Sequence, residues 1–162
     1  MRRDKFSFQF ETFRDMTEAL ELIFSDSAAS AILFTAAVRC GTQCFKRAVK
    51  EGEKRQDAVH YLSELKREEN WGELSFSHVD FIKGMGRVVV ADSFETVPLA
   101  TKGHKTKRSQ PCCHFLRGFL AGFLSELFQK PTVVTEEKCA GMGDEHCEFA
   151  FKPDEDRSED LK

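Results

Sequence analysis

Residues 111–130, PCCHFLRGFLAGFLSELFQK, run directly into residues 131–152, PTVVTEEKCAGMGDEHCEFAFK. The first stretch places Phe115, Phe119 and Phe123 at i, i+4 and i+8, one face of a helix. Pro111 suits the first helical turn, where its missing N–H costs nothing. A helix is therefore predicted from Pro111 to about Lys130. The second stretch reads as two strands, 131–138 and 146–152, joined by Gly141-Met142-Gly143-Asp144. A helix feeding a hairpin is one half of an α+β fold, and the flanking sequence supplies the rest.

Upstream, Leu74, Phe76, Val79, Phe81 and Ile82 predict a strand with an irregularity near His78. Gly84-Met85-Gly86 reads as a turn and Arg87 to Ala91 as the returning strand. Residues 98–110 read as a loop carrying Lys102, His104, Lys105, Lys107 and Arg108, a solvated basic segment. Three helices precede this β region. Phe13, Met16, Leu20, Ile23 and Phe24 define one over 13–24, and Ser25-Asp26-Ser27 caps a second over about 27–51, closed by Gly52. A more polar third spans 55–69 with Val59, Leu62 and Leu65 inward. Phe6, Phe8 and Phe10 alternate with polar residues and suggest a short leading strand. The expected fold is α+β: N-terminal helices packed on a mainly antiparallel sheet with one inserted helix. One domain is expected over 1–152, with an acidic, frayed tail over 153–162.

Composition agrees with a globular domain. The chain has 162 residues, 41% hydrophobic and 31% charged, with a formal charge of -3. That balance gives no reason to expect a nucleic-acid partner. The longest apolar stretch, Ala28 to Val38, falls far below the roughly 20 residues needed to cross a bilayer. No continuous apolar segment follows the charged start, so no signal peptide, no membrane partner and a cytoplasmic protein are expected. Of the aromatics, 16 are Phe, against the single Tyr61 and Trp71. Phe brings large apolar area with no polar tip. These rings fill a core or line an apolar site.

Six cysteines in a reducing compartment point to metal binding or reactivity rather than a disulfide framework. Cys139 ends one predicted strand and Cys147 begins the next, so the Gly-rich hairpin folds their thiols together. Cys113 lies in the first turn of the 111–130 helix, where the helix dipole favours thiolate. Glu136 precedes Cys139 by three residues, which strict alternation would send to the opposite face unless the strand end bends. Three thiolates and a carboxylate make a closed tetrahedral zinc site. Small buried cysteines are the plainer alternative. His114 and His146 are rival ligands, and Cys112 points about 100° from Cys113 around a helix, so one of that pair faces a metal. Cys40 and Cys44, four apart, read as buried small residues or a redox pair.

Pro111-Cys112-Cys113-His114-Phe115-Leu116-Arg117-Gly118-Phe119-Leu120-Ala121-Gly122-Phe123, followed by Thr135-Glu136-x-x-Cys139-x-x-x-Gly143-x-x-x-Cys147-x-Phe149, resembles the 4-vinyl-reductase domain family. Its relatives include the sensory domains of phenol-responsive activators and hydrocarbon-binding proteins. A weaker likeness runs through Gly84-x-Gly86-Arg87-Val88-Val89-Val90-x-x-Ser93-Phe94 and back to 27–52. The resemblance implies a fold similar to a vesicle-tethering subunit and to gas-sensing domains, usually dimeric. It also implies zinc on Cys113, Glu136, Cys139 and Cys147, the positions matching the zinc ligands of the aromatic-sensing members.

The expected function is a zinc-containing domain that binds or senses a small hydrophobic or aromatic molecule without catalysis. Phe115, Phe119, Phe123, Trp71 and His78 are the candidate ligand residues. Gly118 and Gly122 form a notch on the same helix, which either packs tightly or leaves room for an apolar ligand. Two other functions are compatible with the resemblance. One is a vinyl-reductase-like oxidoreductase or accessory factor in tetrapyrrole (bacteriochlorophyll-type) biosynthesis. The other is a scaffold subunit. Against an enzyme, no Gly-rich dinucleotide fingerprint follows a strand and no Ser/His/Asp spacing supports a nucleophile.

Overall fold

The computed structural model describes residues 9–50, 55–96 and 108–156. The predicted strand residues Phe6 and Phe8, the basic loop residues Lys102 to Lys107, the helix-ending Gly52 and the last six tail residues lie outside them.

Two long helices lead: α1, Phe10–Phe24, and α2, Asp26–Lys50. A short 3-10 turn, Arg55–Asp57, opens α3, Ala58–Glu68. Strands β1, Glu73–Asp80, and β2, Met85–Ala91, follow, then α4, His114–Phe128, and strands β3, Thr132–Lys138, and β4, Cys147–Pro153. The strands form one four-stranded sheet in the order β1-β2-β4-β3, and every neighbouring pair is antiparallel. The predicted α+β architecture is therefore the observed one.

Three local readings change. Phe10 is the first residue of α1, not the end of a strand; the N–H groups of Thr12 and Phe13 donate to the carbonyl of Gln9. Helical phase there brings Phe13 onto Phe94 and Phe115, with ring centroids 5.0 and 5.6 Å apart. Phe81 and Ile82 lie beyond β1, 49% and 92% exposed. The Asp80 carboxylate accepts the N–H groups of Ile82 and Lys83 at 3.0 and 2.9 Å, and that side-chain turn ends the strand. The 111–130 helix begins three residues late, because Cys113 is its non-helical cap residue and Pro111 precedes it. It ends at Gln129, which adopts a left-handed conformation with φ of 56°.

The core centres on α4. Leu116, Phe119, Leu120, Phe123, Leu124 and Leu127 are buried, and join Leu74, Val88, Val90, Val134, Phe149 and Phe151 of the sheet in one cluster. The other side of α4 carries the Gly118–Gly122 notch, and α2 fills it backbone to backbone. A Cβ on Gly118 would lie 2.3 Å from the Phe34 carbonyl oxygen, and one on Gly122 would lie 2.0 Å from that of Val38. Gly41 of α2 reciprocates: its Cβ would meet the Phe119 carbonyl oxygen at 2.0 Å. The notch thus sets helix–helix contact and leaves no room for a ligand. Gly122→Ala is expected to cost about 3 kcal/mol, the upper range for overpacking, because neither backbone can yield. Chemical denaturation would show it as a lower midpoint with an unchanged slope.

Candidate metal centre and aromatic cluster

Four side chains converge where α4 meets the β3–β4 hairpin. One ligand atom each from Cys113, Glu136, Cys139 and Cys147 lies within 4.8 Å of every other, and all four residues are buried. Each arrives for a local reason. Cys113 is the cap residue of α4. Cys139 follows β3, and Cys147 opens β4 opposite Val90 of β2. Glu136 joins them through a bulge: the β3–β4 register shifts between Glu136 and Lys138, so the alternation that separates Glu136 from Cys139 is broken. The hairpin tip closes as a 3-10 turn, Ala140–Met142, followed by Gly143 at φ of 102°. Asp144 holds the tip, its carboxylate accepting the Cys139 N–H at 2.8 Å.

The polar contacts are those of a site built for a cation. Cys113 Sγ and Cys147 Sγ are 3.5 Å apart, and the Ala140 N–H donates to Cys147 Sγ at 3.4 Å. Glu136 Oε2 accepts the Cys113 N–H at 3.0 Å, while its Oε1 is buried with no hydrogen-bond partner. Burial, reinforced by charge on Cys139, pushes the Glu136 carboxyl up to about 8. Cys139 is held far down as thiolate by hydrogen bonds from Cys112, Cys113 and Cys147. Cys113 is pushed well up by its hydrogen bonds to Cys112, Cys139 and Cys147 and by burial. Four acids thus crowd one pocket while charge settles on a single thiolate. A divalent cation would let all four ionise and would take the orphaned oxygen. The donor set, three soft sulfurs and one oxygen, fits zinc.

The rival ligands stand outside this set. His146 Nε2 lies 3.8 Å from Glu148, at the surface. His114 is held neutral, first by burial and then by Arg117. Cys112 Sγ is 3.6 Å from Cys139 Sγ but falls outside the mutual 4.8 Å group. Cys40 is exposed while Cys44 is buried.

The α4 helix that contributes Cys113 also carries the aromatic cluster. The Trp71 ring centroid lies 4.9 Å from Phe119, 5.1 Å from Phe94 and 5.7 Å from Phe115, and Phe13 closes over Phe94 and Phe115. Phe123 stacks beyond Phe119 at 6.4 Å and turns its edge to Phe45. His78 does not join them; it is exposed at the β1 bulge with φ of 52°. A residue that hydropathy alone hides sits at the centre. Lys66 is only 4% exposed, with Nζ 3.6 Å from the Trp71 centroid, 4.4 Å from the Phe119 centroid and 2.7 Å from Glu69. Its charge is held by two ring faces and one carboxylate. The i, i+4 step from Leu62 to Lys66 along a helix that buries Leu62 is the signal that would have found it.

Glu95 was also missed. Its carboxylate accepts the N–H groups of Phe115 and Leu116 at 3.1 and 2.8 Å, satisfying the start of α4 from outside the helix. Burial outweighs those bonds and pushes Glu95 up to about 8. A raised folded pKa means that its contribution is complete below the unfolded value near 4.5 and fades as pH rises through about 8. The Glu95→Gln variant is expected to lose less stability than wild type over that pH window, read from urea midpoints at several pH values.

Residues 103–153 match the 4-vinyl-reductase domain. The resemblance carried by the Cys-rich motif holds over that segment. Several uncharacterized proteins of Methanocaldococcus jannaschii are similar. MJ0855 is 38% identical over 76 residues, covering 43% of this chain and 33% of the relative. MJ1642 is 40% identical over 43 residues, covering 26% of this chain and 27% of the relative. These matches span a third or less of each relative's length. In fold, the chain is similar to the phenol-responsive sensory domain of the transcription activator PoxR, solved with phenol. The TM-score is 0.80 at 20% identity, covering 97% of this chain and 82% of that one. A vinyl-4-reductase family protein from M. jannaschii superposes with TM-score 0.60 at 18% identity, covering 93% and 85%. A trafficking protein particle complex subunit 3 from Naegleria fowleri, covalently bound to palmitic acid, gives 0.60 at 12%, covering 90% and 91%. The matched segment holds all four converging ligands, and no described helix is long and apolar enough to cross a membrane.

Proposed function

We infer that this protein is a zinc-stabilised domain that binds a small aromatic or hydrophobic molecule and carries out no catalytic step. The observation that carries this reading is that one helix, α4, begins in the four-ligand cluster and continues into the ring cluster around Trp71. Four protein ligands would leave zinc no open position, so the metal would be structural. It would tie Cys113 at the start of α4 to the β3–β4 hairpin. Two similar folds, solved with phenol and with palmitic acid, support a site for an apolar molecule. Ligand entry at the rings would shift α4 or α1, whose Phe13 covers the cluster, and so reach a partner.

A homodimer is part of the reading. Leu22, Ile23 and Phe24 at the end of α1 are 88%, 70% and 56% exposed, a contiguous apolar run that a second copy would cover.

Trp71 is the only tryptophan, so its emission reports directly on the cluster. Titration with phenol is expected to give a saturable change in emission, matched in native mass spectrometry by one added phenol per chain. A strictly linear response with no bound species would count against the binding reading.

A further inference from the structure

Cys112 is the fifth sulfur at the metal cluster and the one the cluster does not use. It precedes the α4 cap residue and points its Sγ to within 3.6 Å of Cys139 Sγ. It is half-buried where Cys113, Cys139 and Cys147 are each 0% exposed. It also lines a narrow crevice beneath α1 with Phe13, Thr17, Glu21, Phe94 and Arg108. A small oxidant entering there meets Cys112 before any of the ligands.

We propose that Cys112 and Cys139 form an oxidisable pair, a modification site through which a hydroperoxide ejects the metal. This rests on the reading of Cys113, Glu136, Cys139 and Cys147 as zinc ligands. With hydrogen peroxide, the Cys112 sulfur takes one peroxide oxygen, the O–O bond breaks and water leaves, giving a sulfenic acid. The Cys139 thiolate attacks that sulfur; the S–S bond forms, the S–O bond breaks, and the departing hydroxide is protonated to water. Two sulfurs lose two electrons and the peroxide gains them. The Cys112 thiol supplies one of the protons needed and solvent the other. The sulfurs must close from 3.6 Å to about 2.0 Å, a side-chain movement. Cys139 then no longer offers a thiolate, and three ligands remain. Cys113 and Cys147 are as close to each other, at 3.5 Å, but both would be engaged by the metal and both are fully buried. Cys112 therefore acts as the trigger.

The test uses the full zinc-loaded chain with limiting hydrogen peroxide, a chromophoric zinc chelator and peptide mapping without reduction. Wild type is expected to release its zinc and yield a Cys112–Cys139 cross-linked peptide, both reversed by a dithiol. Cys112→Ser is expected to keep its zinc when purified and to release it at least roughly tenfold more slowly, as for a thiol that must attack without its partner. The Cys40→Ser, Cys44→Ser double variant should behave as wild type. Equal release rates in Cys112→Ser, or a cross-link joining Cys113 to Cys147 instead, would overturn the proposal. A chain that purifies without zinc would defeat the metal reading alone. The pairing would then stand or fall on the Cys112–Cys139 peptide in the peroxide-treated protein.

Discussion

Cys139→Ser and Cys113→Ser are expected to purify with less than about a tenth of an equivalent of zinc and to lose cooperative unfolding. A serine hydroxyl is a poor replacement for thiolate, and it would stand beside an orphaned carboxylate oxygen in a buried pocket. Structural zinc contributes about 10–16 kcal/mol in small metallo-domains, as much as the whole stability of an ordinary domain. Here a hydrophobic core built on α4 remains, so the loss is expected to be smaller. A loss of about 5 kcal/mol would lower the melting temperature by roughly 10–20 °C for a chain of this size. Chelation of wild type should reproduce the fall, and calorimetry with and without added zinc would measure it. Glu136→Gln should be milder, retaining zinc with an affinity lower by about one to two orders of magnitude.

Phe119→Ala is expected to cost about 4 kcal/mol and to create a site that small aromatics fill. The ring is 1% exposed and lies between Trp71 and Lys66, so its removal leaves a cavity that the packed β-sheet and α2 cannot close. The cavity would be walled by Trp71, Phe115 and Phe123, and apolar voids of this kind accept benzene-sized molecules. Phenol should therefore raise the melting temperature of Phe119→Ala more than that of wild type, with a matching change in Trp71 emission. Equal shifts in both proteins would mean that the rings around Trp71 are not where the molecule goes.

The sequence made some of this visible and concealed the rest for identifiable reasons. Alternation and turn residues located β1, β2, β3 and β4, because one face of the sheet is buried and period two is then enforced. The irregularity at His78 appeared as a break in that alternation and is the β1 bulge. The bulge that unites Glu136 with Cys139 left no local signal, and only the motif spacing hinted that the two share a side. The Gly118–Gly122 notch was legible as a notch but not as the contact for α2, since periodicity says nothing about which element fills a groove. Lys66 and Glu95 were invisible as site residues because a buried charge is recognised by its partners, two rings and a carboxylate for one and two backbone N–H groups for the other.

The zinc K-edge absorption spectrum of the protein as purified tests the central claim most directly. It should fit three sulfurs at about 2.3 Å and one oxygen at about 2.0–2.2 Å, the signature of Cys113, Cys139, Cys147 and Glu136. Four sulfurs, which would put Cys112 in place of Glu136, or a protein with no bound zinc at all, would contradict it.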